Sequence, residues 1–330
     1  MKVILIDTEG FGGLDENSNH DTRIFLFSLL LSSFFIYNSV GSIDENALQN
    51  LSLIVNLAKE IQVKSRGTEA DSEELAQYFP AFLWVVRDFA LKLIDPSGNP
   101  MNAKEYLESA LMPQKGVSDA VESKNRIRRL LKHFFKERDC CTMVRPLENE
   151  KELQMLDQLP DEQLRPEFVE QAKNLRKRIF KKVKPKSLNG RLLNGSMLVE
   201  ITKAYIQAIN SGSVPNIESA WTYLCKMESQ KALEDSLSFV DKKLGETNIT
   251  SPMEADDLKK LKTSLREEMI TYFKKKSIGQ DDELKNLYEE MEKSFAERYY
   301  KFKERNKEEW KVIVYFTPLI KLETIFELDS

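Results

Sequence analysis

Two short stretches of this chain end an apolar run in residues that can do chemistry. The first is Met1-Lys-Val-Ile-Leu-Ile-Asp-Thr-Glu-Gly10, where the run Val3 to Ile6 stops at Asp7. An uninterrupted β-branched and leucine run suits a strand buried on both faces of a parallel sheet. A carboxylate at the carboxyl end of such a strand stands where open α/β sheets bind their ligands. In nucleotide-hydrolysing proteins that Asp holds Mg²⁺, directly or through water, and a following Gly lets the backbone approach the terminal phosphate. Taken alone the pattern is weak, because many strands end in an Asp-containing turn. The second stretch is Phe82-Leu-Trp-Val-Val-Arg-Asp88. A carboxylate at the end of that strand accepts two hydrogen bonds from the N1–H and exocyclic amine of guanine, a pair that adenine lacks. The preceding Arg87 can lie over the base face. An ordinary ion pair at a strand end is an equal reading of these two residues alone.

Other chemistries find less support. With only two histidines, His20 and His133, and no CxxC spacing, a His/Cys zinc site is disfavoured. Three cysteines, two of them the adjacent Cys140 and Cys141, make no disulfide framework and point to a reduced, cytoplasmic setting. Cys140 and Cys141 read as buried strand residues, since no paired base is suggested nearby. A net charge of −4 gives no overall attraction to nucleic acid. The amino terminus does not read as a signal peptide, because Asp7 and Glu9 follow its short apolar run at once. The uncharged segment Ile24 to Tyr37 is shorter than the ~20 residues that span a bilayer and reads as a buried helix running into a buried strand.

The elements that position these residues follow from periodicity. At 330 residues the chain has room for about two domains. Gly12 to Asp21 reads as a polar loop, and Asp21 or Thr22 can cap a helix through Leu30. Ser33 to Asn38 reads as a second strand, Asp44 to Val63 as a helix, Phe82 to Val86 as a third strand, and Lys124 to Phe135 as a basic-aromatic helix before a strand at Cys141 to Val144. Strand and helix thus alternate through about residue 185, the pattern of an α/β domain. From Lys186 to Glu309 no strand is expected, only helices near Gly195–Ser211, Asn216–Leu244, Met253–Lys276 and Asp281–Trp310. The β-prone run Val312 to Phe316 has no clear place. The basic run Lys173 to Lys186 has two functional readings, contact with an anionic membrane surface or with a polyphosphate; the solvated face of a helix whose apolar side is Ala172, Leu175, Ile179 and Val183 is the preferred one. Gly190 to Ser196 reads as a turn followed by a helix start.

Together these passages resemble the guanylate-binding protein family, large GTPases of the dynamin superfamily. The resemblance rests on Asp7-Thr8-Glu9-Gly10 and a polar loop, then Leu31-Ser-Ser-Phe-Phe-Ile-Tyr-Asn-Ser-Val-Gly41, then the strand ending in Arg87-Asp88. Arg145-Pro146 and Leu156 to Phe168 look like the segment that begins at the family's guanine cap, and Ala204 to Gly212 with Pro215 is similar to the entry into its helical domain. The match covers roughly residues 3–245. It implies an α/β fold, a doubly wound, mostly parallel GTPase-type sheet in residues 1–188, followed by an elongated all-α domain in residues 189–330. It implies GTP and Mg²⁺ as cofactors, with Asp7 in the Mg²⁺ shell, Gly10 at the γ-phosphate and Glu9 helping to position the attacking water. Asp88 would read guanine beside Arg87, with Arg145 and Pro146 beginning the cap. Self-association or pairing with family members through the G domain is the implied partnership.

One departure stands against this. No G-x-x-x-x-G-K-[ST] occurs in the chain, and that loop supplies backbone N–H groups, a Lys and a Mg²⁺-binding hydroxyl to the phosphates. In the family it precedes the strand that ends in Asp-Thr-Glu-Gly, which here begins six residues from Met1. The polypeptide is therefore expected to lack the front of its domain, to expose a sheet edge or apolar surface, and to bind GTP poorly. Two functions remain in view: a GTPase, impaired in this form, and a catalytically inactive relative acting as an interaction module.

Overall fold

Phe82 to Val86 are all buried, and a continuous apolar strand of that kind requires a layer on each face. The computed structural model describes residues 2–8, 18–51, 78–211, 217–247, 252–279 and 281–327. It divides the chain into two compact units, Met1–Trp221 and Thr222–Ser330.

The first unit is built on a three-stranded parallel sheet of order β1 (Phe34–Val40), β2 (Ala81–Arg87), β3 (Arg138–Thr142). The register pairs Phe35 with Phe82 and Tyr37 with Trp84 on one face. That face packs against α1 (Ser18–Leu31) and α4 (Asp119–Phe134): Phe25 meets Phe35 edge-on at 5.5 Å, and Phe135 lies 4.5 Å from Phe82 between ring centroids. The opposite face, Leu83 and Val85 with Met143, packs under α5 (Pro166–Lys182) through Phe168, Ala172, Leu175 and Ile179. The apolar side expected of the basic helix is therefore the side that meets the sheet. Two short helices, α2 (Glu45–Asn50) and α3 (Ala103–Ala110), complete the layer beside α4. Arg128, buried in α4, ties them together by pairing with Glu45 and donating to the Ala110 carbonyl. The helix α6 (Gly195–Asn210) closes the unit.

Several expectations need correction. Val3 to Ile6 is not a buried strand: Lys2–Thr8 has no regular structure, and Ile4, Leu5 and Ile6 are 68%, 79% and 58% exposed. Strand propensity is local, but a strand exists only where its backbone groups find a neighbour, and among the described residues this run has none. The strand expected at Cys141 to Val144 lies earlier, at Arg138–Thr142, because Glu137 and Met143 hydrogen-bond to the two ends of β2. Residues 186–309 do contain strands, the hairpin β4 (Ser187–Leu188) and β5 (Arg191–Leu192). Its turn, Asn189-Gly190, has positive φ at both residues, as a two-residue hairpin turn demands. The helix expected over Asp44 to Val63 is seen only as α2, and its remainder lies outside the described residues.

The second unit is helical: α7 (Ile217–Glu246, which starts in the first unit), α8 (Ala255–Lys276) and α9 (Asp281–Glu327). Its core joins Leu233, Leu237 and Val240 to Met269, Phe273, Met291 and Phe295. Buried Asn306 accepts from the Met253 N–H and donates to its carbonyl, fixing the turn before α8. The run Val312 to Phe316 lies within α9.

At the β3 edge of the sheet, Asp139 is held by Lys182 at 2.7 Å and Arg178 at 3.6 Å and accepts from the Cys140 N–H. Burial raises its carboxyl, but the Lys182 hydrogen bond, the Cys140 N–H and the two cations outweigh it, so its pKa is lowered on balance. A depressed carboxylate stabilises the fold above its unfolded pKa, ~3.9, and loses that contribution as pH falls through the folded value. Asp139→Asn is expected to cost about 1–3 kcal/mol at pH 7 and progressively less as pH falls below ~3.9, measured by urea unfolding across that range.

Candidate functional site

Because all three strands run parallel, their carboxyl ends gather at one end of the sheet, where open α/β folds hold ligands. Four of the singled-out residues stand at this end. β2 finishes at Arg87 and turns at Asp88, and β3 leads through Met143 and Val144 to Arg145 and Pro146.

Asp88 is exposed and adopts a left-handed backbone, φ 53°. That conformation disfavours side chains other than Gly, Asn and Asp. The chain on either side is pinned: Phe89 N–H donates to the Met143 carbonyl, Gly41 N–H to the Arg87 carbonyl, and the Phe89 ring packs on Tyr106. The carboxylate itself has no hydrogen-bond or ion-pair partner among the described residues. Arg87 is exposed too, and its Nε donates to Asn38 Oδ1 at 2.8 Å, so the expected alternative of an Arg87–Asp88 ion pair is not formed. Arg145 pairs with Glu150 at 2.8 Å, while its Nε is buried and has no hydrogen-bond partner among the described residues. Buried Pro146 accepts from the Arg165 N–H, anchoring the segment.

Beside β1 lies a cleft of about 1730 Å³. Lys2–Thr8 forms one wall and Phe34–Val40 another, with Arg87, Lys186 and Leu198 among the other lining residues. It brings Asp7 and Arg87 to one space and leaves Asp88, Arg145 and Pro146 outside its lining. Glu9 and Gly10 lie outside the described residues. Asp7 is exposed. Among the described residues no three His, Cys, Asp or Glu side chains cluster as a metal site. A single carboxylate does fit Mg²⁺, which keeps most of its waters and takes other oxygens from phosphates. Lys186 reaches the end of α1 and donates to the Ser32 carbonyl at 2.8 Å; burial pushes its ammonium down to about 8.

Cys140 and Cys141 offer no nucleophile. Burial pushes Cys140 up to about 12 and also raises Cys141, so both remain thiols at neutral pH. Among the described residues no helix is long and apolar enough to cross a membrane.

Sequence reasoning did not single out Asn38 or Glu150, the residues that orient Arg87 and Arg145. A polar Asn directly after the aromatic-rich run Phe34 to Tyr37 was the available signal for Asn38. Nothing local marked Glu150.

Comparison with known proteins gives matches along nearly the whole chain. Residues 1–188 match the family model described as guanylate-binding protein, N-terminal domain, and residues 189–312 the model described as guanylate-binding protein, C-terminal domain. Human guanylate-binding protein 4 is 40% identical over 237 residues, 70% of this chain and 37% of that protein. Human guanylate-binding protein 1 is 34% identical over 301 residues, 88% of this chain and 50% of that protein. Mouse guanylate-binding protein 7 is 33% identical over 286 residues, covering 85% and 45%. The chain spans half or less of the length of these relatives.

If Asp88 is retained for a ligand and not for the fold, its removal leaves stability nearly unchanged. Asp88→Gly and Asp88→Asn are expected to change unfolding free energy by less than about 1 kcal/mol, since both tolerate positive φ. Thermal or urea unfolding of the two variants measures this.

Proposed function

Since the chain belongs to the guanylate-binding protein family, we propose that its residues 1–188 are the guanine-nucleotide-binding part of a GTPase. The observation that carries this reading is Asp88: an exposed, unpartnered carboxylate, held in a left-handed conformation at the carboxyl end of the central strand. Its two oxygens match the paired donors of guanine, and the neighbouring Arg87 guanidinium is already oriented by Asn38. Arg145 and Pro146, at the end of the adjacent strand, begin the cover over the base. Asp7 faces the cleft and would join the water and phosphate oxygens around Mg²⁺; Gly10 and Glu9, three and two residues on, would serve the terminal phosphate and the attacking water. When bound, the ion neutralises charge that develops on the transferred phosphoryl group. The protein's share is positioning and preorganised dipoles, with no covalent intermediate. In this reading residues 1–188 form the G domain and residues 189–330 a helical domain of a cytoplasmic protein, self-associating through the nucleotide face.

This 330-residue polypeptide has no GxxxxGK[ST] loop. Charge-assisted hydrogen bonds contribute about 1.5–3 kcal/mol each, so without that loop's several contacts it is proposed to bind GTP weakly and hydrolyse it slowly. A second reading, an inactive interaction module, draws on the exposed Ile4, Leu5 and Ile6 and on the unpaired edge of β1 among the described residues.

Titrating the purified chain with GTP and Mg²⁺, followed by intrinsic fluorescence, is expected to show saturation only at about millimolar concentration or above. Tight Mg²⁺-dependent binding would overturn the proposed impairment. Where binding is measurable, Asp88→Asn is expected to remove most of the preference for GTP over ATP. Unchanged selectivity takes Asp88 out of the guanine site.

A further inference from the structure

The outer face of α5 carries charge that is left unpaired among the described residues. The inner side of this helix meets the sheet, and its flank residues Arg178 and Lys182 reach Asp139. Outward, Lys173, Arg176, Lys177 and Lys181 are exposed. Among the described residues none of the four has an ion-pair partner, unlike Lys184 just beyond the helix, which pairs with Glu137 at 2.9 Å. At 3.6 residues per turn the four cations fall within an arc of about 140°. Phe180 stands near the middle of that arc and is 54% exposed. The acids nearest on the helix are Glu167 and Glu170, in its first two turns, and none follows from Gln171 to Lys186.

We propose that this face docks on an anionic phospholipid surface, the cations at the headgroups and the Phe180 ring in the interfacial layer. A convex cationic face with an exposed aromatic side chain at its centre is the pattern of helices that lie on such surfaces. A single-stranded nucleic acid fits less well, because its binders line a groove with several stacking rings. A duplex reader needs polar side chains along an inserted helix, and Asn174 is the one amide on this exposed stretch. The overall charge of −4 makes the attraction local to this face. It is also screened by salt, over about 10 Å at 0.1 M.

Each cation close to an anionic leaflet strengthens partitioning about fivefold, so four together contribute several hundredfold. The test is flotation of the whole chain with phosphatidylcholine vesicles, with or without about 30 mol% phosphatidylserine, in about 0.1 M salt. The chain is expected to float only with the anionic vesicles. The quadruple variant K173E/R176E/K177E/K181E is expected to lose more than a hundredfold of that binding. Phe180→Ala is expected to lose several-fold with an unchanged salt dependence, and Phe180→Trp to show a blue-shifted emission on anionic vesicles. All five side chains are exposed, so circular dichroism and thermal unfolding should match the parent. No flotation with anionic vesicles overturns the proposal, as does equal flotation of the charge-reversed chain. Binding to an oligonucleotide as tight as to vesicles, with Phe180→Ala indistinguishable from the parent, assigns the face to polyanions and also overturns it.

Discussion

The first unit depends on the double burial of β2. Leu83 and Val85 point to α5, Phe82 and Trp84 to α1 and α4, and neither set can be exposed without losing a layer. Burying each of these side chains is worth about 1.5–3 kcal/mol. Because successive residues alternate sides, a one-residue slip would exchange the two faces. The parallel register with β1 and β3 is therefore tightly specified. It fixes where the strands end, and with them Arg87, Asp88 and the path to Arg145. The candidate site inherits its geometry from the core, although none of its charged residues contributes to that core.

The two edges of this sheet are treated differently. At β3 the outward-facing groups of Cys140 are satisfied by side chains, its N–H by Asp139 and its carbonyl by Arg178 at 2.8 Å. No further strand can pair there without breaking those bonds. At β1, among the described residues, the outer groups have no strand beside them, and the neighbouring feature is the cleft walled by Lys2–Thr8. The asymmetry explains why Asp7 and Arg87 share a space while the β3 side is sealed.

How much of this was legible depends on how far each residue's constraint reaches. Phe82 to Val86 was readable because an apolar run whose five residues are all buried leaves no other place for itself. The helices of the second unit were readable because their stripes repeat for many turns. Val3 to Ile6 is as uninterruptedly apolar as Phe82 to Val86 of β2, yet strand formation depends on a neighbour that composition does not encode. The β4–β5 hairpin was missed for the opposite reason. Its Asn189-Gly190 turn is a strong local signal, but arms of two residues are too short to show alternation. Of the site, the acidic and basic strand ends were visible; Asn38 and Glu150, which orient them, were not, because their partners are 49 and 5 residues away in sequence.

The arrangement around Asp88 separates two roles that a strand end often merges. Were Arg87 and Asp88 paired with each other, each would neutralise the other and neither could read a ligand without first breaking that pair. Here Asn38 takes the Arg87 Nε through a neutral acceptor, which orients the guanidinium while no carboxylate among the described residues pairs with it. The left-handed turn at Asp88 carries its side chain away from the strand direction, and the bonds of Gly41 and Phe89 on either side hold that turn against relaxation. Backbone strain of about 1 kcal/mol persists only where the surroundings enforce it. Two parallel neighbours and a buried phenyl ring enforce it here. The result is an adjacent cation and anion kept apart at the carboxyl end of the sheet.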